Sequence, residues 1–186
     1  MSFILDKEIF NRAVNFTFQA EGFLSSDKDD PGGLTKYGIS QKQYPNIDIK
    51  NLTLEDAKEI YYRDYWKKIK CDMICSINPK IAIIVFDTQV NTGRGIKLLQ
   101  QTIKQFPSSP FNQIKVDGIY GKQTHSLLKD LNQIAPNYII YNYLINRISY
   151  YNYISRKNPK LKKFLSGWIN RVIRLRDYVL LSKSTI

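Results

Sequence analysis

Glu21 closes a stretch in which Phe10, Val14 and Thr17 recur at helical spacing, and Gly22 follows it as a helix stop. Its carboxyl group therefore belongs both to the apolar stripe of a helix and to that helix's last turn. Partial desolvation and the negative end of the helix dipole both disfavour the carboxylate and raise its pKa. A rise of about two, at about 1.4 kcal/mol for each unit, keeps a glutamic acid largely protonated at about pH 6. A protonated glutamic acid can give its proton to a leaving oxygen. A Glu turned outward to water could not, and helix position alone leaves both orientations open.

Asp30 lies nine residues beyond Glu21 and Thr35 fourteen, with Asp27 and Asp29 close by. Cleavage of a glycosidic bond commonly uses two carboxyl groups on opposite sides of the scissile bond. A separation of about 6.5–9.5 Å inverts the anomeric configuration, and one of about 5–5.5 Å retains it. A helix end followed by a tight loop can supply such a pair. Pro31-Gly32-Gly33 is a strong turn signal, and the run from Leu34 to Ile39 reads as a short β-hairpin edge folding back over the helix end. The three aspartates also suit an acidic turn or a calcium loop, although their spacing is not that of an EF-hand.

The elements that must position these groups are mostly helical. Periodicity predicts helices near 6–21, 53–69, 79–92, 94–106, 122–133, 137–156 and 161–182. Thr53 with Asp56 forms a capping box, and Asn78-Pro79 places a cap and a proline at a helix start. The segment from Ile81 to Val90 is apolar almost all round, as a buried central helix should be. Breaks fall at Pro45, Pro107 to Pro110, Ala135-Pro136 and Asn158-Pro159, with Pro107 to Pro110 the best linker. With 186 residues, 43% of them hydrophobic, the chain can bury a core as one or two small domains.

The formal charge of +12 is unevenly placed. Residues 1–93 hold 12 Lys+Arg and 13 Asp+Glu, a net −1, whereas residues 94–186 hold 16 and 3, a net +13. The basic half asks for an anionic partner (cell wall, an anionic lipid surface or nucleic acid) unless it is merely a solvated face. Six tyrosines, Tyr138, Tyr141, Tyr143, Tyr150, Tyr151 and Tyr153, crowd one predicted helix. Core packing with hydroxyls at the edge is the stronger reading of them, and stacking on sugars or bases the weaker.

Glu21-Gly22, Asp30-Pro31-Gly32-Gly33 and Thr35-Lys36-Tyr37-Gly38-Ile39-Ser40 together resemble the signature of glycoside hydrolase family 108, lysozyme-like N-acetylmuramidases. The resemblance continues in Tyr61, Tyr65-Trp66, Cys71-Asp72, Phe86-Asp87 and Val90-Asn91-Thr92-Gly93. It implies a mainly α, lysozyme-like helical fold with a small β-hairpin over residues 1–93. Glu21 is then the general acid, and Asp30 and Thr35 position or activate water. Tyr37 and Gly38 in the hairpin, with Gln89 and Asn91 on the central helix, are candidate substrate-binding residues. Asp87, Gln89 and Asn91 are equally readable as hydrogen-bonded structural groups. The chain departs from the family at Phe23, where a second glycine is usual, which either strains the Glu21 loop or narrows the cleft beneath a sugar.

Val116-Asp117-Gly118-Ile119-Tyr120-Gly121-Lys122-Gln123-Thr124 and the later Phe164 to Val172 segment resemble the predicted peptidoglycan-binding module attached to such enzymes. A basic helical module over 94–186 is the expectation, its glycines serving a tight turn before a helix. The implied activity is hydrolysis of the β-1,4 bond between N-acetylmuramic acid and N-acetylglucosamine, by a monomer, with no metal and no organic cofactor. Peptidoglycan is the implied partner, and the basic half suits an anionic wall polymer or membrane surface better than nucleic acid. A different class, a non-catalytic wall-binding or assembly protein on a degenerate fold, draws support from Phe23.

Cys71 and Cys75 stand one helical turn apart, poor geometry for a disulfide, and His125 is the only histidine, so neither a zinc site nor Cys/His catalysis is supported. Free thiols in a reducing cytoplasm are expected. No secretory signal and no membrane-spanning run is visible. The expectation is an enzyme made in the cytoplasm that reaches the wall by holin-type release, as a phage endolysin would, or through dedicated secretion.

Overall fold

The computed structural model describes residues 2–21 and 34–181, with the side chains of residues 2, 3 and 21 excepted. Helix α1 (Ser2–Glu21) leads to a two-stranded hairpin, β1 (Thr35–Lys36) and β2 (Ile39–Ser40), antiparallel with Thr35 opposite Ser40 and Lys36 opposite Ile39. The helices that follow are α2 (Leu54–Tyr61), α3 (Cys71–Ile77), α4 (Pro79–Thr92), α5 (Gly95–Lys104), α6 (Lys122–Ile134), α7 (Pro136–Lys157) and α8 (Leu165–Leu181). The fold is mainly α with one small hairpin, as the sequence predicts.

Helix α4 is the axis of the molecule. Ile81, Ala82, Ile83, Ile84, Val85, Phe86, Asp87 and Thr88 are consecutive and all buried. A helix apolar on every side needs neighbours on every side. It packs against α1 and α3 from the first half of the chain and against α5, α7 and α8 from the second. The core consequently runs without interruption from Ile9 to Val179. The Asn78 side chain caps α4 at the Lys80 and Ile81 amides with Pro79 in the first turn, and Gly93, at φ 68°, closes it in the left-handed region that glycine adopts freely. Thr53 and Asp56 form the predicted capping box at the start of α2.

Two predictions of the element pattern need correction. The helix expected over 53–69 is α2 followed by a π-helical turn, Tyr62–Lys67. The wider turn lets Tyr62 Oη and Trp66 Nε1 both donate to the Asp6 carboxylate on α1, each at 2.8 Å. Lys70 then stops the helix at φ 58°, and α3, which the periodicity did not predict, starts at once. The Pro107 to Pro110 segment is a packed turn rather than a linker. Phe106 and Phe111 on either side of it meet edge to face at 5.2 Å, and Phe106 packs on Tyr138 in the same way.

The glycine-rich motif of the second half wraps a buried amide. Gln100 Nε2 donates to Asp117 Oδ1 (2.9 Å), Ile119 O (3.1 Å) and Thr124 Oγ1 (3.2 Å), while Gln100 Oε1 accepts from the Gly118 amide at 2.8 Å. Gly118 sits at φ 85°, and a Cβ there would lie 3.0 Å from the Lys97 side chain. This turn is structural, as the sequence suggested. Both cysteines are buried free thiols, and burial pushes Cys75 up to about 12. No helix of the described residues is long and apolar enough to cross a membrane.

Candidate active site

Phe10, Val14 and Thr17 are buried along α1, so the stripe predicted to carry Glu21 is the face that enters the core. Glu21 is the last residue of α1. Its side chain lies outside the described residues, as do Asp27, Asp29, Asp30, Phe23 and the Pro31-Gly32-Gly33 turn.

The hairpin stands beside the last turn of α1. Tyr37 and Gly38 form its two-residue turn with φ 52° and 72°, the paired positive values of a type I′ turn. A tyrosine at the first position opposes its own Cβ sterics by about 1–2 kcal/mol. Three contacts hold it there. Its ring lies 6.3 Å from that of Phe18, one turn before Glu21, Lys36 Nζ approaches the ring centroid to 5.6 Å, and its carbonyl accepts from Tyr61 Oη at 3.3 Å. Phe18 also meets Tyr61 edge to face at 5.2 Å, and Tyr61 stacks on Tyr65 at the same spacing. Gln43 Nε2 donates to Tyr65 Oη at 3.3 Å. The aromatic ladder thus joins α1, the hairpin and α2.

Side chains alternate across a strand, and Ile39 with its neighbour Lys36 takes the core-facing side. Thr35 and Ser40 therefore share the opposite face, both partly exposed. Gly38 supplies the second positive φ of the turn.

Gln89 and Asn91 lie one and a half turns or less from the end of α4. Gln89 Oε1 accepts from the Gly95 amide at 2.9 Å and stitches α4 to α5. Asn91 Oδ1 accepts from Tyr151 Oη at 2.5 Å. Asp87 is fully buried, and its carboxylate is structural. Arg147 Nη1 and Arg171 Nη2 each donate to it at 2.6 Å, Arg171 Nε adds a bond at 3.2 Å, and Thr17 Oγ1 completes the set at 3.1 Å. Burial would push this carboxyl up, but the two guanidinium groups outweigh it and hold Asp87 below the usual carboxylate range. Thr17 lies one turn before Glu21, so Arg147 on α7 and Arg171 on α8 brace the helix that carries the candidate acid.

Periodicity did not single out Phe18, Tyr61, Arg147 or Arg171 for the site. Arg147 alone of these carried a signal, together with Asp87. Arg147 is the one charged residue between Pro136 and Ser155, and Asp87 the one charged residue between Ile81 and Gly93. Solitary opposite charges on two apolar helices pair with each other because neither can be buried alone.

Removing the Tyr61 hydroxyl tests whether this frame serves the chemistry. Tyr61→Phe is expected to lower stability by about 1 kcal/mol. If the hairpin loses a comparable part of its positioning energy, turnover of peptidoglycan falls about five-fold. Thermal unfolding beside initial rates reads both, and an unchanged rate in the folded variant would show that the hairpin needs no such tether.

The class of molecule follows from comparison with known proteins. Residues 14–93 match the family described as Glycosyl hydrolase 108, and residues 94–173 match the Predicted Peptidoglycan domain. The chain is thus a glycoside hydrolase, with its glycosyl hydrolase 108 match over residues 14–93 adjoining its peptidoglycan-domain match over 94–173, and its partner is peptidoglycan. The solved structure of SagA from Brucella abortus has the same fold, with a TM-score of 0.71 at 24% identity, covering 96% of this chain and 98% of that one. No curated protein is similar enough to count as a relative.

Proposed function

We propose that the enzyme is an N-acetylmuramidase that cleaves the β-1,4 bond between N-acetylmuramic acid and N-acetylglucosamine, with Glu21 as the general acid. The observation that carries this reading is the junction of α1 with the hairpin. Phe18 and Tyr37 bring the turn that ends in Glu21 against the strand that bears Thr35, within the segment that matches the hydrolase family. In this reading Glu21 protonates the glycosidic oxygen and Asp30 or Thr35 directs water to the anomeric carbon. Tyr37, Gly38, Gln89 and Asn91 shape the sugar subsites, the last two through side chains already fixed by Gly95 and Tyr151. The enzyme acts beyond the cytoplasmic membrane as an endolysin or a secreted effector, and the basic second half holds it to the anionic wall.

The bond is identified by its products. Purified peptidoglycan is digested, the fragments are reduced with borohydride, and the new ends are read by mass spectrometry. Fragments ending in reduced N-acetylmuramic acid are expected. Ends in reduced N-acetylglucosamine would assign the neighbouring linkage instead and overturn the muramidase reading.

A further inference from the structure

A groove of about 450 Å³ runs between α5 and α7, in the half of the chain that matches the peptidoglycan domain. Arg94 and Lys104 mark its walls, Gln101 and Asn146 line it, and Tyr150 and Tyr153 form its aromatic side. None of its lining residues is acidic. Two features show that it is preorganised. The Arg94 guanidinium stacks 4.9 Å from the Tyr150 centroid, and Asn146 Nδ2 donates to Thr102 Oγ1 at 3.0 Å and to Gln105 Oε1 at 2.8 Å. Lys157 Nζ, 5.9 Å from the Tyr153 centroid, extends the cationic track along α7.

Resting on peptidoglycan as the partner, we infer that this groove binds the peptide stems of the wall through their carboxylates. The chemistry of its lining separates the parts of that polymer. A glycan of N-acetylated sugars linked to peptides carries no charge of its own, so it would leave Arg94, Lys104 and Lys157 without a counterpart. A stem peptide presents carboxylates to those cations and amides to Gln101, and its backbone can lie along the tyrosine faces. The positive half of the chain raises the local concentration of such anionic stems, and added salt weakens the attraction.

The test measures binding by isothermal titration calorimetry on the full chain, using the disaccharide-tetrapeptide and, as the uncharged glycan, a short oligomer of N-acetylglucosamine. Arg94→Gln with Lys104→Gln should weaken the disaccharide-tetrapeptide at least ten-fold, Lys104→Gln alone should weaken it by less, and Lys129→Gln with Lys160→Gln, outside the groove, should not. Equal binding of the N-acetylglucosamine oligomer, unchanged affinity in the groove variant, or tighter binding of poly(glycerol phosphate) overturns the inference. Lys104→Gln changes an exposed side chain at the end of α5, so it keeps the result readable if the double variant unfolds. The two readings fail separately. Loss of muramic-acid ends with groove-dependent binding intact removes only the muramidase reading, whereas correct ends with groove-independent binding removes only the groove.

Discussion

Replacing Glu21 with Gln should abolish measurable hydrolysis of peptidoglycan while leaving the protein folded. The substitution preserves size and removes the proton that the leaving oxygen needs. General acid catalysis contributes about 10²- to 10⁴-fold to a rate, and a glycosidic bond whose alkoxide leaves unprotonated has no comparable alternative route. Glu21 is also the last residue of α1, where a neutral amide spares the helix an unfavourable carboxylate at the negative end of its dipole. The thermal midpoint should therefore stay the same or rise slightly. Sugar release from purified peptidoglycan, paired with thermal unfolding, gives both numbers. A variant retaining a tenth or more of wild-type turnover would remove Glu21 from the mechanism, and Glu55 and Glu59 would be the next to replace. Both line a cavity of about 550 Å³ between α1 and α2. Glu55 is already paired with Lys58 there at 2.7 Å, so Glu59 would be replaced first.

Local signals carried far along this chain, and where they failed the cause was tertiary. The helix starts at Thr53 and Asn78-Pro79 were legible because a cap and a fixed proline φ act within one turn. Helix α4 was legible because an uninterrupted apolar run of that length fits only a buried central helix. The hairpin was legible too, although its turn is Tyr37-Gly38 rather than a more usual Asn-Gly, and Phe18 and Tyr61 supply what the turn sequence lacks. The π-helical turn at Tyr62–Lys67 left no local trace, because it exists to bring Tyr62 and Trp66 onto Asp6, some sixty residues away. The tyrosines of α7 divide in a way composition could not show. Tyr143 and Tyr151 are buried, with Tyr143 Oη donating to Gly95 O at 3.0 Å, whereas Tyr150 and Tyr153 face the groove. For the site, the helix-end position of Glu21 and a hairpin within Leu34 to Ile39 were readable from the sequence, whereas the turn at Tyr37-Gly38 was not. The frame around them was not, because it is assembled from α2, α7 and α8.

That frame makes Asp87→Ala the most damaging single change expected in the core. The substitution leaves Arg147, which is fully buried, and Arg171, which is nearly so, facing each other with no anion between them. Arg147 Nη2 already has no partner among the described residues, so that guanidinium would keep only the bond from Nε to Tyr151 Oη at 2.9 Å. Breaking a buried pair by removing one partner costs about 3–5 kcal/mol, a large part of a domain's total stability. At about 2–4 °C per kcal/mol for a chain of this size, the thermal midpoint should fall by about 6–20 °C. The pH dependence supplies an independent signature. Asp87 titrates lower in the folded protein than in the unfolded chain, so its stabilisation is complete above an unfolded value of about 3.9 and is lost as pH falls through the lower folded value. The gap between wild type and Asp87→Asn should stay constant from about pH 5 to 8 and narrow only below about pH 4. Thermal or urea unfolding across that range decides the matter. A loss under about 1 kcal/mol at neutral pH would mean that α7 and α8 are not fastened to α4 by this carboxylate. If the loss is as large as expected, the peptidoglycan domain is a structural part of the hydrolase and not a detachable anchor. Through Thr17 the same carboxylate reaches the turn of α1 that ends in Glu21. Residues 1–93 on their own would expose the faces of α4 that α5, α7 and α8 now cover, and would not hold the acid in place.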